Sequence, residues 1–118
     1  MGIPITTQDE LEQHLLALGL CDEQSVVVHS KLLSFGRIED GIQTVYQAIR
    51  NVIGPLGTVA FPAYTLNLKS DEVYDPVTTP SHAVGALSEY VRTLPNAIRS
   101  DCPMHGHLAI GQLAEQVI

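Results

Sequence analysis

Residues 26–45 read VVVHSKLLSFGRIEDGIQTV, and this stretch decides the arrangement of the chain around it. A short β-branched apolar run is followed by a polar His-Ser-Lys turn, a loop that contains Gly36 and Gly41, and the start of an amphipathic helix. This order predicts a strand, a loop and a helix N-terminus, where backbone N–H groups and the helix dipole can bind a phosphate. The stretch matches neither of the standard nucleotide-binding motifs, so an ordinary strand-to-helix turn remains the alternative.

Several groups of this stretch could contact a phosphate. The predicted strand ends in three polar residues, His29, Ser30 and Lys31. They lie at the carboxyl end of the strand, where open α/β sheets bind ligands. The first helical turn exposes the backbone N–H groups of Gln43, Thr44 and Val45. The Lys31 ammonium and the Thr44 hydroxyl could add charge-assisted and neutral hydrogen bonds.

Helices and strands alternate on both sides of this stretch. A capping box at Thr7 and leucines at helical spacing predict a helix over residues 7–18, and the apolar run predicts a strand, buried on both faces, over residues 25–29. Further along we expect helices over residues 41–53, 84–94 and 111–118, strands over residues 58–64 and 97–100, and a long surface loop over residues 67–82. This alternation favours a single domain over residues 1–118, with three layers, α/β/α, around a mixed or largely parallel sheet.

Composition limits the classes of function. The net charge is −7, with 6 Lys and Arg among 118 residues, which argues against a nucleic-acid partner and is compatible with a cationic ligand. No apolar run approaches the ~20 residues that span a bilayer. The N-terminus has no secretory signal pattern, so we expect a cytoplasmic protein with no membrane partner, in which Cys21 and Cys102 are free thiols.

The sequence ends on an unfinished helical pattern. Leu113, Val117 and Ile118 form an apolar stripe that no cap or polar tail follows. This pattern predicts that the chain is truncated or is part of something larger. The same stripe could also pack against a second copy of the chain or against a partner, which would make the protein a structural domain that associates with itself or with that partner.

Residues 101–107 contain three potential ligands or catalysts, Cys102, His105 and His107. Their spacing is too tight for all three to bind one zinc ion, and a fourth ligand is missing. A Cys102 nucleophile with His105 as its base is a second interpretation. Asp101 opposes it, because a neighbouring carboxylate raises the pKa of a thiol. An ordinary surface loop is the default interpretation.

Carboxylates and aromatic rings meet in the long loop. Asp71, Glu72 and Asp75 lie in it, and Tyr64 and Tyr74 are close in sequence. Charge and stacking together can bind a polyamine or an amino sugar. A solvated acidic loop is the alternative.

The chain resembles the aminoglycoside 3-N-acetyltransferase family, the antibiotic N-acetyltransferases that use acetyl-CoA. Six segments in the right order carry the resemblance: LGL at 18–20, VVVHSKLLSFG at 26–36, GIQTVYQAI at 41–49, GPLGTVAFPAYT at 54–65, YDPVTTPSHAVGALSEYVR at 74–92 and IRSDCPMHGHLAIG at 98–111. The resemblance implies an α/β/α fold and direct transfer of an acetyl group from acetyl-CoA to the 3-amino group of an aminoglycoside. Such an activity confers antibiotic resistance.

The resemblance also implies which residues form the site. Those expected to contact coenzyme A are His29, Ser30, Lys31, Ser34, Gly36, Gly41, Gln43, Thr44, Val45, Arg99 and Ser100. Three further residues, Tyr64, Asp75 and Glu89, lie in segments near the cationic acceptor. No metal site is implied.

The chain departs from the family pattern in two ways. The family's general base, a histidine polarised by a carboxylate, belongs to a second half that this chain lacks. Where the family often reads RSxHPxHS, residues 99–106 read RSDCPMHG, so that Cys102 replaces a histidine and Gly106 replaces a serine. His105 is retained and is the candidate catalytic residue of this chain. A truncated, inactive coenzyme-A-binding relative is therefore the alternative function.

Overall fold

The computed structural model describes residues 5–30, 37–65, 68–81 and 85–118. Its elements in chain order are β1 (Ile5–Thr6), α1 (Gln8–Ala17), β2 (Ser25–Val27), β3 (Arg37–Ile38), α2 (Ile42–Ile53), β4 (Thr58–Pro62), α3 (Ala86–Arg92), β5 (Ile98–Arg99), β6 (His107–Gly111) and α4 (Ala114–Val117). No helix among these residues is long and apolar enough to cross a membrane.

The helix boundaries follow from local chemistry. The predicted capping box starts α1, where the Thr7 hydroxyl oxygen accepts a hydrogen bond from the Glu10 backbone N–H at 3.2 Å. Two glycines with a φ of 72° bound α2, Gly41 before it and Gly54 after it. That left-handed conformation favours glycine, so both ends of α2 are fixed by residues without a Cβ.

Four strands form the central sheet in the order β2-β4-β6-β5. β2 runs parallel to β4, with Val26 opposite Val59, whereas β4 and β6 are antiparallel, with Phe61 opposite Leu108. β5 is also antiparallel to β6. β1 and β3 form a separate two-stranded parallel sheet. The central sheet is therefore mixed, one of the two predicted arrangements.

Side-chain alternation along β4 separates two packed faces. Val59 and Phe61 are fully buried beneath α1, α2 and α3, together with Leu108 of β6. Ala60 and Ala109 lie in a second cluster with Ala114 of α4. Helices therefore cover both faces of the sheet, which confirms the predicted α/β/α fold class.

Two predictions about the sheet were wrong. The sequence placed residues 101–107 in a loop and assigned no strand after it, but β6 is the strand that joins β4 to β5. The strand around Val27 was expected to be buried on both faces. β2 is instead an edge strand of the described sheet, and Val27 is 60% exposed. Apolar composition alone does not distinguish an edge strand from a central one.

Candidate functional site

The start of α2 opens onto a polar cavity of about 390 Å³. Its lining residues are Gln8, Asp40, Gln43, Thr44, Gln47 and Tyr90. Gly41 turns the chain into the helix, and the Thr44 backbone N–H donates to its carbonyl oxygen at 3.2 Å. The Thr44 N–H is therefore not free for a ligand, contrary to the prediction, and the remaining first-turn N–H groups give this end of the helix a partial positive charge. Asp40 lines the same cavity and contributes a negative charge to it.

His29 and Ser30 line a second, larger cavity of about 690 Å³. It lies between α1, α2 and the end of β2, and most of its wall is apolar. The apolar lining comes from Leu11, Leu15, Leu18, Val28, Val45, Ala48, Ile49 and Leu87, and the polar lining from Thr6, Glu10, His14, His29 and Ser30. An apolar cavity with a polar rim suits a long, flexible and mostly uncharged ligand arm.

The predicted cofactor residues thus divide between two cavities. His29, Ser30 and Val45 line the apolar cavity, and Gln43 and Thr44 line the polar cavity. Gly41 begins the helix whose first turn contributes to both. The other three predicted residues of this stretch, Lys31, Ser34 and Gly36, lie outside the described residues.

Arg99 is buried and holds two segments together. The residue is 8% exposed, and Nη2 donates to the Ala63 carbonyl oxygen and to Thr65 Oγ1, both at 2.9 Å. Nη1 donates to the carbonyl oxygens of Thr79 and Pro76, the latter at 3.4 Å. Burial lowers the pKa of Arg99, since the surrounding protein solvates the charge less well than water does. This arrangement does not favour the predicted contact with coenzyme A, because the terminal nitrogens already donate to the protein.

Ser100 and Tyr74 extend the same network. The Tyr74 hydroxyl donates to the Ser100 carbonyl oxygen at 2.7 Å, and the Tyr74 ring centroid lies 5.0 Å from the Arg99 guanidinium carbon. Burial raises the pKa of Tyr74. Ser100 Oγ accepts from the His107 backbone N–H at 3.1 Å. Ser100 therefore braces the turn between β5 and β6, a role that the sequence pattern did not indicate.

Glu89 lies in a hydrogen-bonded network. Its Oε1 accepts from the Ser81 backbone N–H at 2.6 Å, from Ser81 Oγ at 2.7 Å and from Arg92 Nε at 2.8 Å. Burial alone would raise the pKa of Glu89, but the hydrogen bonds from Arg92 and Ser81 outweigh it and lower the pKa to about 2. The carboxylate thus ties the end of the long loop to α3. This geometry favours a structural role over the predicted contact with the acceptor.

Tyr64 lies between two histidine rings. The ring centroids are 6.3 Å apart for Tyr64 and His105, and 5.7 Å for Tyr64 and His107, both in edge-to-face geometry. Among the described residues no carboxylate hydrogen-bonds to His105 or His107, and no group of His, Cys, Asp or Glu is arranged to bind a metal ion. Cys102 is exposed and free, as predicted. The structure therefore joins a predicted acceptor residue to the candidate catalytic histidine, which the sequence could not reveal.

Asp75 is exposed and shapes its own turn. Its Oδ1 accepts from the Val77 backbone N–H at 2.8 Å, and its backbone N–H donates to Thr79 Oγ1 at 2.8 Å. This Asx turn contains Pro76, whose carbonyl oxygen accepts from Arg99. Asp75 and Tyr64 therefore lie on two segments that one guanidinium connects.

Known proteins match most of the chain. The sequence model of the aminoglycoside 3-N-acetyltransferase family matches residues 27–118. Aminoglycoside N(3)-acetyltransferase IV of Salmonella is 36% identical over 110 residues, which are 92% of this chain and 41% of that protein.

Solved structures agree with this match. A complex of AAC-IIIb with coenzyme A superposes with a TM-score of 0.86 at 29% identity, over 95% of this chain and 48% of that one. A mutant of aminoglycoside acetyltransferase AAC(3)-IVa in complex with a gentamicin gives a TM-score of 0.89 at 34% identity, over 100% of this chain and 45% of that one. The chain spans about half the length of these relatives. Because the family model covers most of its residues, the chain belongs to the aminoglycoside 3-N-acetyltransferase family.

Proposed function

We propose that this chain is the N-terminal, coenzyme-A-binding half of an acetyl-CoA-dependent aminoglycoside 3-N-acetyltransferase. One observation carries the proposal, namely that 95% of the chain superposes on an acetyltransferase in complex with coenzyme A. A cytoplasmic location belongs to the same proposal, because acetyl-CoA is a cytoplasmic metabolite.

Two cavities support a cofactor site in this chain. The apolar cavity beside His29 and Val45 suits the pantetheine arm, and the helix start at Gln43 and Thr44 suits the pyrophosphate. The positive charge of Lys31, which lies outside the described residues, is compatible with a phosphate ligand. In this assignment His29 contacts the cofactor and does not act as the base.

The acceptor is a cationic amino sugar. Tyr64 and Asp75 supply an aromatic face and a negative charge for it, and the net charge of −7 attracts polycations over a longer range. A free amine attacks the thioester carbonyl carbon, the C–N bond forms, and the C–S bond breaks to release coenzyme A thiol. The amine must lose a proton for this attack, so a general base is required.

We assign that base to a group outside this chain. His105 is exposed, and within the described residues no carboxylate hydrogen-bonds to it to orient its ring. The relatives are about twice as long as this chain, which supports a base in the remaining half. His105 then contacts the acceptor through the cluster it forms with Tyr64.

Calorimetric titration with coenzyme A, followed by an assay of thiol release from acetyl-CoA in the presence of gentamicin, tests the proposal. We expect coenzyme A to bind to this chain. Thiol should be released only from a longer form of the protein that also contains the general base. The second candidate function is a coenzyme-A-binding relative without turnover, and the observation behind it is that no described carboxylate hydrogen-bonds to His105. Binding without release from any longer form of the protein would establish it, and no binding would reject both.

A further inference from the structure

We propose that Arg99 is a positioning residue that holds the loop of residues 68–81 against the carboxyl end of β4. Through this contact Arg99 would place Asp75, on the loop, relative to Tyr64, at the strand end. Only the identity of the ligand between them depends on the function proposed above.

The guanidinium joins two chain segments through its two terminal nitrogens. Nη2 donates to the strand-end acceptors Ala63 O and Thr65 Oγ1, each at 2.9 Å. Nη1 donates to loop carbonyl oxygens, those of Pro76 and Thr79. A planar fork with fixed donor directions can satisfy both segments at once, whereas a lysine ammonium on a flexible stem cannot reproduce that geometry.

Other contacts along the loop point to the same strand ends. Thr65 Oγ1 donates to the Pro80 carbonyl oxygen at 2.7 Å, and the Tyr74 hydroxyl donates to the Ser100 carbonyl oxygen at 2.7 Å. The Tyr74 ring also covers the guanidinium of Arg99. Arg99 is thus at the centre of a polar joint between the loop, β4 and β5.

Hydrophobic packing does not hold this loop in place. Val73 is 88% exposed and Val77 is 76% exposed, so neither anchors the segment in the core. A loop that buries little apolar surface opens easily unless polar contacts restrain it. Arg99 donates to the carbonyl oxygens of Pro76 and Thr79, and Arg92 Nη1 donates to the Val77 carbonyl oxygen between them at 2.7 Å.

The buried charge itself requires compensation. Among the described residues Arg99 forms no ion pair with a carboxylate, so its charge is offset by carbonyl oxygens, a hydroxyl and an aromatic face. Burying a charge is costly unless such partners are in place. Loss of the guanidinium should therefore loosen the loop between Pro76 and Thr79, because these two carbonyl oxygens lose their donors together.

The test uses Arg99→Met, which keeps an unbranched side chain but shortens it and removes its donors, with Arg50→Met as the matched control. Arg50 also donates to a backbone carbonyl, that of Gly57 at 3.2 Å, but it lies outside the loop joint. Amide hydrogen exchange is measured at Asp75 and Thr79, whose N–H groups are bonded within the loop. We expect exchange about tenfold faster at both amides in the Arg99 variant only, with exchange in β4 unchanged.

Arg99→Lys separates geometry from charge. If Arg99 acts through the fixed donor directions of its guanidinium, Arg99→Lys also loses protection of the loop amides against hydrogen exchange. Titration with coenzyme A and gentamicin then distinguishes positioning from simple electrostatics. Removing a positive charge should strengthen binding of a cation, so a roughly tenfold loss of gentamicin affinity in Arg99→Met with unchanged coenzyme A affinity indicates positioning.

Several outcomes would overturn the inference. Unchanged loop exchange in Arg99→Met would do so, as would an equal effect of Arg50→Met. Loss of coenzyme A affinity with intact loop protection would make Arg99 a cofactor contact instead. If Arg99→Met does not fold, amide hydrogen exchange is measured on Arg99→Lys instead. Failure of the unchanged protein to bind gentamicin would count against the proposed function, and the exchange data would still decide the role of Arg99.

Discussion

Single charged groups set the electrostatic balance of the candidate site. Asp40 lies beside the positive end of α2, in the cavity assigned to the pyrophosphate. Its φ of 57° is left-handed, a conformation that asparagine also tolerates. Glu89, by contrast, directs its charge within the protein, where Ser81 and Arg92 are among its partners.

Asp40→Asn should tighten coenzyme A binding. The carboxylate repels the pyrophosphate, and asparagine removes that charge without altering the backbone. We expect about two- to fivefold higher affinity at low salt, measured by calorimetry, with a smaller gain at high salt. Asp22→Asn, which lies beside Gly54 at the opposite end of α2, is the control and should leave the affinity unchanged. A loss of affinity in the Asp40 variant would place the phosphates elsewhere.

Glu89→Gln should remove part of the acid sensitivity of the protein. The pKa of Glu89 is lowered in the folded protein to about 2, from 4.5, so its carboxylate stabilises the fold above pH 4.5. That stabilisation is lost as the pH falls from 4.5 through 2. At pH 7 we expect the variant to lose about 2 kcal/mol in the free energy of unfolding.

Denaturant titrations at several pH values check this expectation. The difference between the unchanged protein and Glu89→Gln should shrink between pH 4.5 and 2. Glu115→Gln, at an exposed position, should cost little at any pH. A difference that is the same at all pH values would mean that the charge of Glu89 is not responsible.

At the scale of elements, the turn between β5 and β6 explains one departure from the family pattern. A Cβ on Gly106 would overlap the Cys102 carbonyl oxygen and approach Ser100 Oγ to 2.8 Å. The turn around Cys102 and His107 therefore has no room for the serine that the pattern often has. The φ of Gly106 lies outside the left-handed range, so backbone conformation does not require glycine here. The requirement comes from the lack of space for a Cβ.

Gly106→Ala should destabilise the protein by about 1–3 kcal/mol, because the turn must shift to admit the methyl group. Thermal and denaturant unfolding measure the loss. Met104→Ala, in the same turn but with an exposed side chain, should change stability by less than about 0.5 kcal/mol. Equal stability of Gly106→Ala and the unchanged protein would show that the turn is more open than the structure indicates.

The elements also show what the sequence can predict. The capping box at Thr7 and the glycines around α2 are local signals, and the predicted helix boundaries there were confirmed within two residues. β6 was missed, because its pairing with β4 depends on residues about 50 positions apart. The joint at Arg99 could not be predicted for the same reason, since its partners at Ala63 and Pro76 are brought together only by the fold.

At the scale of the whole molecule, the acidic balance should act oppositely on the two proposed ligands. The net charge of −7 attracts a polycationic aminoglycoside and repels the anionic coenzyme A. Raising the salt concentration from about 0.02 to 0.2 M should weaken gentamicin binding by roughly tenfold and leave coenzyme A binding unchanged or stronger. Paired titrations at both salt concentrations measure how each affinity changes with salt. If both affinities fell with salt to the same extent, a long-range role for the net charge would be contradicted.

The aromatic contacts also allow intrinsic tyrosine fluorescence to report on local structure. It has no tryptophan and 4 tyrosines, so its ultraviolet emission comes from tyrosine alone. Tyr46 and Tyr90 join α2 to α3 with ring centroids 6.0 Å apart, Tyr64 lies beside two histidine rings, and Tyr74 covers a guanidinium. The environments of Tyr64 and Tyr74 therefore differ from each other and from that of the Tyr46–Tyr90 pair. Unlabelled protein can report loop opening through Tyr74 and a change at the strand end through Tyr64, and replacing each tyrosine by phenylalanine assigns the signals.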